Sequence, residues 1–189
     1  MAEASSAVSA PAFPFGIADA RRMHAELDAT KGQLALAQSA LDRANAVIEY
    51  STKYKVSADL AGAIYDGAMS EGIEPDLGFR LVRVESEFKD HATSPVGALG
   101  LTQVMPATAK DFVPGITHEQ LYDRKTNLMI GFRYLRGLIS QYKGDVKLAL
   151  LVYNRGPVAV ESLRALGLDP RNGYEAAVTR GYNGKGTVD

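Results

Sequence analysis

The sequence contains no cysteine in its 189 residues and only three histidines. The first absence excludes disulfides, thiolate zinc sites, iron–sulfur clusters and cysteine nucleophiles. The histidines are too far apart along the chain to form a local metal-binding pair: His24, His91 and His118. The sequence therefore predicts no metal site.

Neither sign of charge predominates, because the chain has 21 Lys and Arg residues and 22 Asp and Glu residues, which gives a net charge of −1. A chain without a long-range field of one sign is a poor match for nucleic acid or an anionic membrane surface. No apolar run approaches the roughly 18 residues that a membrane span needs. The first eleven residues lack the basic and apolar regions of a signal peptide, so we expect export by another route or a signal already removed.

The chain is long enough to bury one core, and its pattern divides it into four parts. Residues 1–16 are rich in Ala, Ser and Pro and are expected to form a flexible lead-in. Residues 17–56 have the pattern of an amphipathic, coiled-coil-like helix, and residues 57–182 that of a globular domain. The Gly-rich residues 183–189 are interpreted as a flexible tail. Strand signals are nearly absent, so the predicted fold class is all-α.

The helix over residues 17–56 carries a large apolar residue at every seventh position: Leu27, Leu34, Leu41 and Ile48. Smaller or flexible residues fill the positions between them, and the two sets together form one seam along the helix: Met23, Thr30, Ala37 and Ala44. This spacing is typical of a helix that packs against another apolar surface. The surface is either the chain's own domain, which we favour, or a second copy or another protein.

Several helix boundaries can be read within the globular part. Ser57 and Asp145 are typical N-cap residues, and Pro75 is typical of the first helical position. A strongly periodic segment predicts a further helix over 126–143, ended by Gly144.

The helix that starts at Pro75 places a carboxylate on its apolar face. Glu85 has Leu81 and Val82 one turn before it and Phe88 one turn after it, while Arg83 and Glu87 are expected to form an exposed ion pair. Burial raises the pKa of a carboxyl group, and a general acid that works near neutral pH requires this. The alternative is a structural glutamate paired with an arginine elsewhere in the fold.

Two later segments suit a sugar-binding site. The run Ser94–Ala109 contains two glycines that let backbone approach a ligand, together with neutral hydrogen-bonding side chains. Further on, Tyr153-Asn154 sets an aromatic hydroxyl and an amide just before a Gly156-Pro157 break.

Together with Glu85-Ser86 and Tyr174–Val178, these segments resemble the catalytic domain of the soluble lytic transglycosylases, which are relatives of goose-type lysozyme. The match keeps order and spacing over about residues 60–182. It implies a lysozyme-like helical domain, to which residues 17–56 add an amphipathic helical extension. It also implies catalysis by Glu85, without a cofactor or metal. The implied substrate-binding residues are Ser94, Gln103, Met105, Tyr153 and Tyr174. The implied structural residues are Ser86, Gly97, Gly100, Thr102 and Asn154.

The sequence departs from the family pattern at three places. Thr102 stands where the family usually has Met, and this shorter, polar residue is expected to change the contact with one sugar ring. Val152 replaces a usual Ala, and Arg171-Asn172-Gly173 replaces a common Glu-Thr pair.

The resemblance implies an enzyme that cuts the β-1,4 bond between N-acetylmuramic acid and N-acetylglucosamine and leaves 1,6-anhydro ends. Its partner would be the glycan strands of peptidoglycan, and its location the periplasm or the extracellular side of the cell envelope. Two alternatives stay open at this point. The same fold can hydrolyse the bond as a muramidase, or the chain can serve mainly as an envelope or phage assembly component docked through residues 17–56.

Overall fold

The computed structural model describes residues 16–188, so the predicted lead-in lies outside the described residues except for Gly16. The chain divides into two units, Met1–Asn45 and Ala46–Asp189. The helices are α1 Ile17–Tyr54, α2 Ala58–Ser70, α3 Pro75–Ser86, α4 Pro106–Phe112, a 3₁₀ turn Gln120–Tyr122, α5 Arg124–Gln141, α6 Val146–Arg155, α7 Pro157–Ala165 and α8 Tyr174–Thr179.

The all-α prediction is confirmed, because residues 16–188 contain isolated β-bridges but no strand. In that same part of the chain, none of the helices is long and apolar enough to cross a membrane.

The described part of the first unit consists of Gly16 and α1 up to Asn45. The predicted seam residues Leu27, Leu34 and Leu41 lie on this helix and are 50%, 68% and 54% exposed. The segment is helical, as predicted. That the seam packs against the chain's own domain stays a prediction, as do the alternatives of a second copy and another protein.

The last turns of α1 belong to the second unit. Val47 is buried there, and the rings of Tyr50 and Tyr54 stack on Phe79 with centroids 4.2 Å and 5.3 Å away. The predicted domain boundary between residues 56 and 57 is therefore corrected to 45 and 46. Sequence periodicity missed this boundary because α1 runs through it without a break.

Side-chain caps fix where the helices of the second unit begin. Ser57 Oγ accepts the N–H of Leu60 at 3.2 Å, and Asp145 Oδ1 accepts that of Leu148 at 3.0 Å, as predicted. Asp123 caps α5 in the same way, so this helix begins at Arg124, two residues before the predicted start.

The core of the second unit lies where α2, α3, α5 and α6 meet, and its largest buried side chains include Phe79 and Phe132. Gly78 lets α3 come close, since a Cβ at this position would lie 3.1 Å from both Ala68 Cβ and Phe132 Cζ. A smaller cluster that includes Leu99 and Ile130 lies under the loop before α4. The core thereby fixes the axis of α3, whose last turn carries Glu85.

The expectation of a flexible tail over 183–189 is wrong for the described residues up to 188. Glu74 N–H donates to Gly186 O at 3.0 Å, and Val188 N–H donates to Gly72 O at 3.2 Å. Lys185 N–H donates to the Glu74 carboxylate at 3.0 Å. Gly186 makes this possible with a φ of 91°, in the left-handed region that favours glycine. The tail is thus bonded to the start of α3.

We expect the two possible N-terminal truncations to differ in thermal stability. Deleting residues 1–45 removes no residue of the second unit and should lower the Tm much less. Deleting residues 1–56 removes Val47, Tyr50 and Tyr54 from the core and should lower the Tm by roughly 10 °C. Thermal unfolding followed by circular dichroism measures both. Equal Tm values for the two truncations would contradict the boundary at residue 45.

Candidate active site

Glu85 lies in the last turn of α3, beside the buried Leu81 and Val82. Burial raises the pKa of Glu85 to about 7, although a hydrogen bond from Tyr174 acts in the opposite direction. Among residues 16–188 no arginine or lysine forms an ion pair with Glu85. The structural alternative, a glutamate paired with an arginine, is therefore not found there.

Tyr174 is the side chain that bonds to Glu85. Its hydroxyl donates to Glu85 Oε1, which joins the first turn of α8 to the last turn of α3. Burial raises the pKa of Tyr174 well above its usual value, and the nearby Glu85 charge adds to this effect. Tyr174 therefore stays protonated and keeps its hydroxyl available as a donor.

Tyr153 lies near Glu85 but bonds elsewhere. Its hydroxyl donates to the carbonyl oxygen of Thr102 at 2.8 Å, and its ring lies 5.2 Å from the ring of Tyr134. Burial raises the pKa of Tyr153 well above its usual value, with a smaller contribution from the Glu85 charge. Tyr153 thus connects α6 to the loop before α4, whereas Tyr174 makes the direct bond to the acid.

Asn127, in the first turns of α5, holds that loop. Asn127 Oδ1 accepts the N–H and the Oγ1–H of Thr102, both at 2.8 Å. Asn127 Nδ2 donates to the carbonyl oxygens of Leu99 and Leu121, both at 2.9 Å. Sequence reasoning missed Asn127, and its only signal was a polar amide at a position that the helical periodicity places toward the core.

Thr102 is fully buried, so its side chain does not face solvent. Its hydroxyl instead bonds to Asn127. Thr102 also packs against α5 where Gly131 leaves room, because a Cβ at Gly131 would lie 2.2 Å from Thr102 Oγ1. Gly100 is needed for a similar reason, since its φ is 76° and a Cβ there would lie 2.3 Å from Asn127 Nδ2.

The predicted substrate-binding residues of the loop make their own bonds within it. Ser94 Oγ accepts the N–H of Ala98 at 2.9 Å, which leaves its hydroxyl proton free to donate. Gln103 Nε2 donates to the carbonyl oxygens of Ala92 and Gly100 at 3.1 Å and 2.9 Å.

A cavity of about 250 Å³ opens between this loop and the end of α6. The structure brings four predicted site residues to its wall: Gln103, Met105, Tyr153 and Asn154. Ser94, Glu85 and Tyr174 do not line this cavity.

The remaining predicted structural residues lie around this site. Ser86 is buried, and its Oγ–H donates to Val82 O at 3.0 Å. Gly97 has a φ of 87° in the turn after Ser94. Asn154 Oδ1 accepts from Asn172 Nδ2 at 2.9 Å, which joins the end of α6 to the loop before α8. Within residues 16–188 no group of three or more His, Cys, Asp or Glu residues is arranged to hold a metal ion.

Residues 63–166, more than half of the chain, match the transglycosylase SLT domain family. The chain belongs to this family. The lysozyme-like resemblance inferred from the sequence motifs is thereby confirmed at the level of the family.

Two curated relatives each match a part of this chain. A transglycosylase of Enterobacteria phage PRD1 is 43% identical over 84 residues, which cover 44% of this chain and 30% of that protein. The soluble lytic murein transglycosylase of Escherichia coli K12 is 38% identical over 96 residues, 48% of this chain and 15% of that protein. The chain therefore matches less than a third of the length of either relative.

Two solved structures share the fold. Lytic transglycosylase Slt from Pseudomonas aeruginosa superposes with a TM-score of 0.52 at 29% identity, over 61% of this chain and 21% of that one. That protein was solved as an inactive mutant with glutamine in place of a glutamate. The 70 kDa soluble lytic transglycosylase of Escherichia coli gives a TM-score of 0.51 at 28% identity, over 67% and 22% of the two chains.

Replacing Tyr174 by Phe should raise the pKa of Glu85 above about 7, because the lost hydrogen bond is the interaction that lowers this pKa. The titration can be followed by NMR of the carboxyl carbon of Glu85. Tyr153→Phe is the matched control and should leave the midpoint near that of the wild type, since its hydroxyl bonds to Thr102. An unchanged or lower midpoint in Tyr174→Phe would contradict the assigned bond.

Glu85→Gln should stabilise the protein at alkaline pH. The folded-state pKa of Glu85, about 7, lies above the ordinary value of 4.5, so its stabilising contribution is lost as the pH rises through this interval. Glutamine does not ionise, so the variant does not lose this stability as the pH rises. The difference in the free energy of unfolding between the variant and the wild type should therefore shift by about 2–3 kcal/mol in favour of the variant between about pH 4 and about pH 8.

Denaturant unfolding at several pH values measures this gain. Glu87→Gln is the control, since Glu87 is exposed and its pKa is lowered by Lys89, so no such gain is expected. A gap between Glu85→Gln and wild type that does not widen with pH would show that Glu85 is not buried as described.

Proposed function

We propose that this SLT domain is a peptidoglycan lytic transglycosylase that cleaves the bond between N-acetylmuramic acid and N-acetylglucosamine and forms 1,6-anhydro ends. The observation that carries the proposal is Glu85. This carboxyl group has a pKa of about 7, accepts a hydrogen bond from Tyr174, and has no second carboxyl group among the causes of its pKa shift.

The first step uses Glu85 as an acid. A group with a pKa of about 7 is partly protonated near neutral pH and so can act as a general acid there. Glu85 gives its proton to the glycosidic oxygen as the bond from that oxygen to C1 breaks. The positive charge at C1 is held by the acetamide of the sugar or by an oxocarbenium-like state.

The second step uses the same group as a base. Glu85, now a carboxylate, removes the proton from the C6 hydroxyl, and the C6 oxygen bonds to C1 to close the anhydro ring. No water molecule is consumed, and Glu85 returns to its protonated form. A mechanism with two carboxylates needs a second one at about 5–5.5 Å or 6.5–9.5 Å, whereas this mechanism needs only one.

Tyr174 suits this double role. Its hydroxyl can donate only as long as it stays protonated, and its own raised pKa secures this. A hydrogen bond to the ionised carboxylate stabilises the state between the two steps. Tyr174 is therefore proposed as a positioning residue for Glu85 in addition to its predicted contact with substrate.

The loop before α4 and the end of α6 are proposed to bind the glycan. The hydroxyl proton of Ser94 and the amide oxygen of Gln103 can meet the hydroxyl and acetamide groups of a sugar. Met105 is 39% exposed and supplies an apolar surface at the cavity wall. Tyr153 and Asn154 line the opposite side.

The names of the relatives agree with this assignment, since two of them are a transglycosylase and a soluble lytic murein transglycosylase. Peptidoglycan as substrate places the proposed site of action in the periplasm or outside the cell. We further propose that residues 46–188 form the catalytic domain. Residues 17–45 are proposed to have an additional docking role, through the seam of α1, toward a protein partner or a second copy.

Glu85→Gln keeps the shape of the side chain but cannot donate and recover a proton, so turnover of purified peptidoglycan should fall by about 10²–10⁴-fold or more. Glu87→Gln should leave turnover nearly unchanged, because Glu87 is exposed and pairs with Lys89. Mass spectrometry of the products should show anhydro ends, each lighter by one water than a hydrolysed end. Hydrolysed ends would instead identify a muramidase, and comparable activity in the folded Glu85→Gln variant would exclude Glu85 as the acid.

A further inference from the structure

The seam of α1 in the first unit follows a heptad repeat, whose positions are written a to g. Position a holds Ala20, Leu27, Leu34 and Leu41, and position d holds Met23, Thr30, Ala37 and Ala44. An apolar stripe confined to a and d is the seam of a coiled coil, whereas a helix that lies on a globular domain usually carries a wider stripe that includes e or g. The residues at e and g therefore indicate which kind of surface the seam fits.

The positions beside the seam are polar, apart from one alanine. Position e holds His24, Lys31, Gln38 and Asn45, and position g holds Asp19, Glu26, Gln33 and Ala40. Leu36, at position c, is the one large apolar residue between 19 and 45 that lies outside a and d. The division of the chain at Asn45 agrees with a narrow stripe, since it assigns this segment to a unit separate from the core. These flanks favour a second helix over the chain's own domain.

Thr30 is the polar residue within the seam, and its hydroxyl is already bonded. Its Oγ1–H donates to the carbonyl oxygen of Glu26 at 2.8 Å, one turn earlier in the same helix. Burying Thr30 against a second helix therefore leaves no hydroxyl proton unpaired, which removes the usual cost of a polar group in an interface. Ala37 and Ala44, at the same heptad position, are small enough to let the second helix come close.

The charges beside the seam select the direction of the second helix. In a parallel coiled coil, position g of one helix faces position e of the following heptad on the other helix. With a second copy of this chain, Glu26 then faces Lys31 and Asp19 faces His24, so each carboxylate meets a basic side chain. An antiparallel pair brings g against g and e against e, which separates the acids from the bases. The parallel arrangement is therefore the complementary one.

We propose that residues 17–45 form a parallel, two-stranded coiled coil with the same segment of a second copy of this chain. The inference rests on the docking role given to this segment in the proposed function, and it adds the partner and the direction. Glu26 is available for the pair with Lys31. Its contact with Arg22 on its own helix is 3.8 Å long, and both of these side chains are exposed, so it contributes little.

Sedimentation equilibrium of the full chain measures the proposed dimer. Leu34→Glu places a charge on each helix within the seam and should raise the dissociation constant of the dimer about 100-fold or more, because a buried carboxylate there has no partner. Ser39→Glu is the matched control. It adds the same charge at position f, on the outer face of the coil, and should leave the dissociation constant within about 3-fold of the wild type.

The inference fails in any of three cases. The first is a wild-type chain that stays monomeric at about 0.1 mM, where a coiled coil of micromolar affinity is dimeric. The second is a dimer that Leu34→Glu leaves intact, which would place the interface elsewhere on the chain. The third is an equal loss in Leu34→Glu and Ser39→Glu, which would indicate net charge alone. A monomeric wild type with a lower Tm in Leu34→Glu would show instead that the seam packs against the chain's own domain.

The absence of cysteine from the sequence allows a test of direction with single cysteines. Met23 lies at position d near the start of the seam, so two copies of Met23→Cys face each other only in a parallel pair and should form an intermolecular disulfide on mild oxidation. Ala25→Cys, at position f, is the control and should stay reduced. Disulfides between Met23→Cys and Ala44→Cys in a mixture, without self-linked Met23→Cys, would show an antiparallel pair and overturn the proposed direction.

The pair of Glu26 with Lys31 is tested by exchanging the two charges. Glu26→Lys or Lys31→Glu alone places like charges opposite each other and should raise the dissociation constant of the dimer about 3–10-fold. The two substitutions together restore opposite charges and should return the constant to near the wild-type value. A double variant that dimerises as weakly as the single ones would overturn the assigned register.

Dimerisation and catalysis can be measured separately on the same variants. Glu85→Gln should remain dimeric while it loses turnover, and Leu34→Glu should keep the turnover of the wild type on soluble glycan chains while it becomes monomeric. A chain that fails to dimerise therefore leaves the reaction proposed for Glu85 standing. A chain that dimerises but does not cleave peptidoglycan counts against that reaction and not against the coiled coil.

Discussion

The hydrogen bond from Tyr174 to Glu85 is the interaction on which the arrangement of the second unit depends. It joins two residues 89 positions apart and holds α8 against the end of α3 in a setting where burial opposes ionisation of the acid. Two further features support these helices. The core fixes the axis of α3 through Gly78, and Arg80 bonds to the backbone that follows α8.

The loop before α4 is ordered by a second set of bonds, centred on one amide. The side-chain oxygen of Asn127 accepts from Thr102, and its amide nitrogen donates to two backbone carbonyl oxygens. All of its polar atoms are therefore hydrogen-bonded within the protein. A buried amide satisfied in this way favours one loop conformation over others, because every displacement leaves a polar group unpaired. Tyr153 in turn joins α6 to the ordered loop, because its hydroxyl donates to the carbonyl oxygen of Thr102.

Local features of the fold could be predicted from the sequence. Glu85 was placed on the apolar face of its helix by residues three and four positions away, and Ser57 and Asp145 marked helix starts through side chains that bond three residues on. These inferences succeed because each depends on neighbours along the chain. The resemblance to a known family then supplied the candidate site, which periodicity alone had left open.

Features that depend on distant partners could not be predicted. Nothing near Tyr174 in the sequence indicates that its hydroxyl meets Glu85, and nothing near Asn127 indicates four bonds to two separate segments. The pairing of Arg83 with Glu87 assumed a continuous helix, and a left-handed residue at its end sent the two side chains apart. The glycines of the tail were interpreted as flexible, although Gly186 uses its freedom to reach a fixed conformation.

The bonds between the tail and the start of α3 have a consequence for how the protein is made. Glu74, at one end of α3, bonds to Tyr182 and to residues 185 and 186, and Glu85, near the other end, bonds to Tyr174. Both ends of the helix that carries the acid are therefore completed by residues synthesised after every other part of the site. A nascent chain can build most of its core while the acid still lacks its partner, so the candidate active site is complete only once translation has passed this segment.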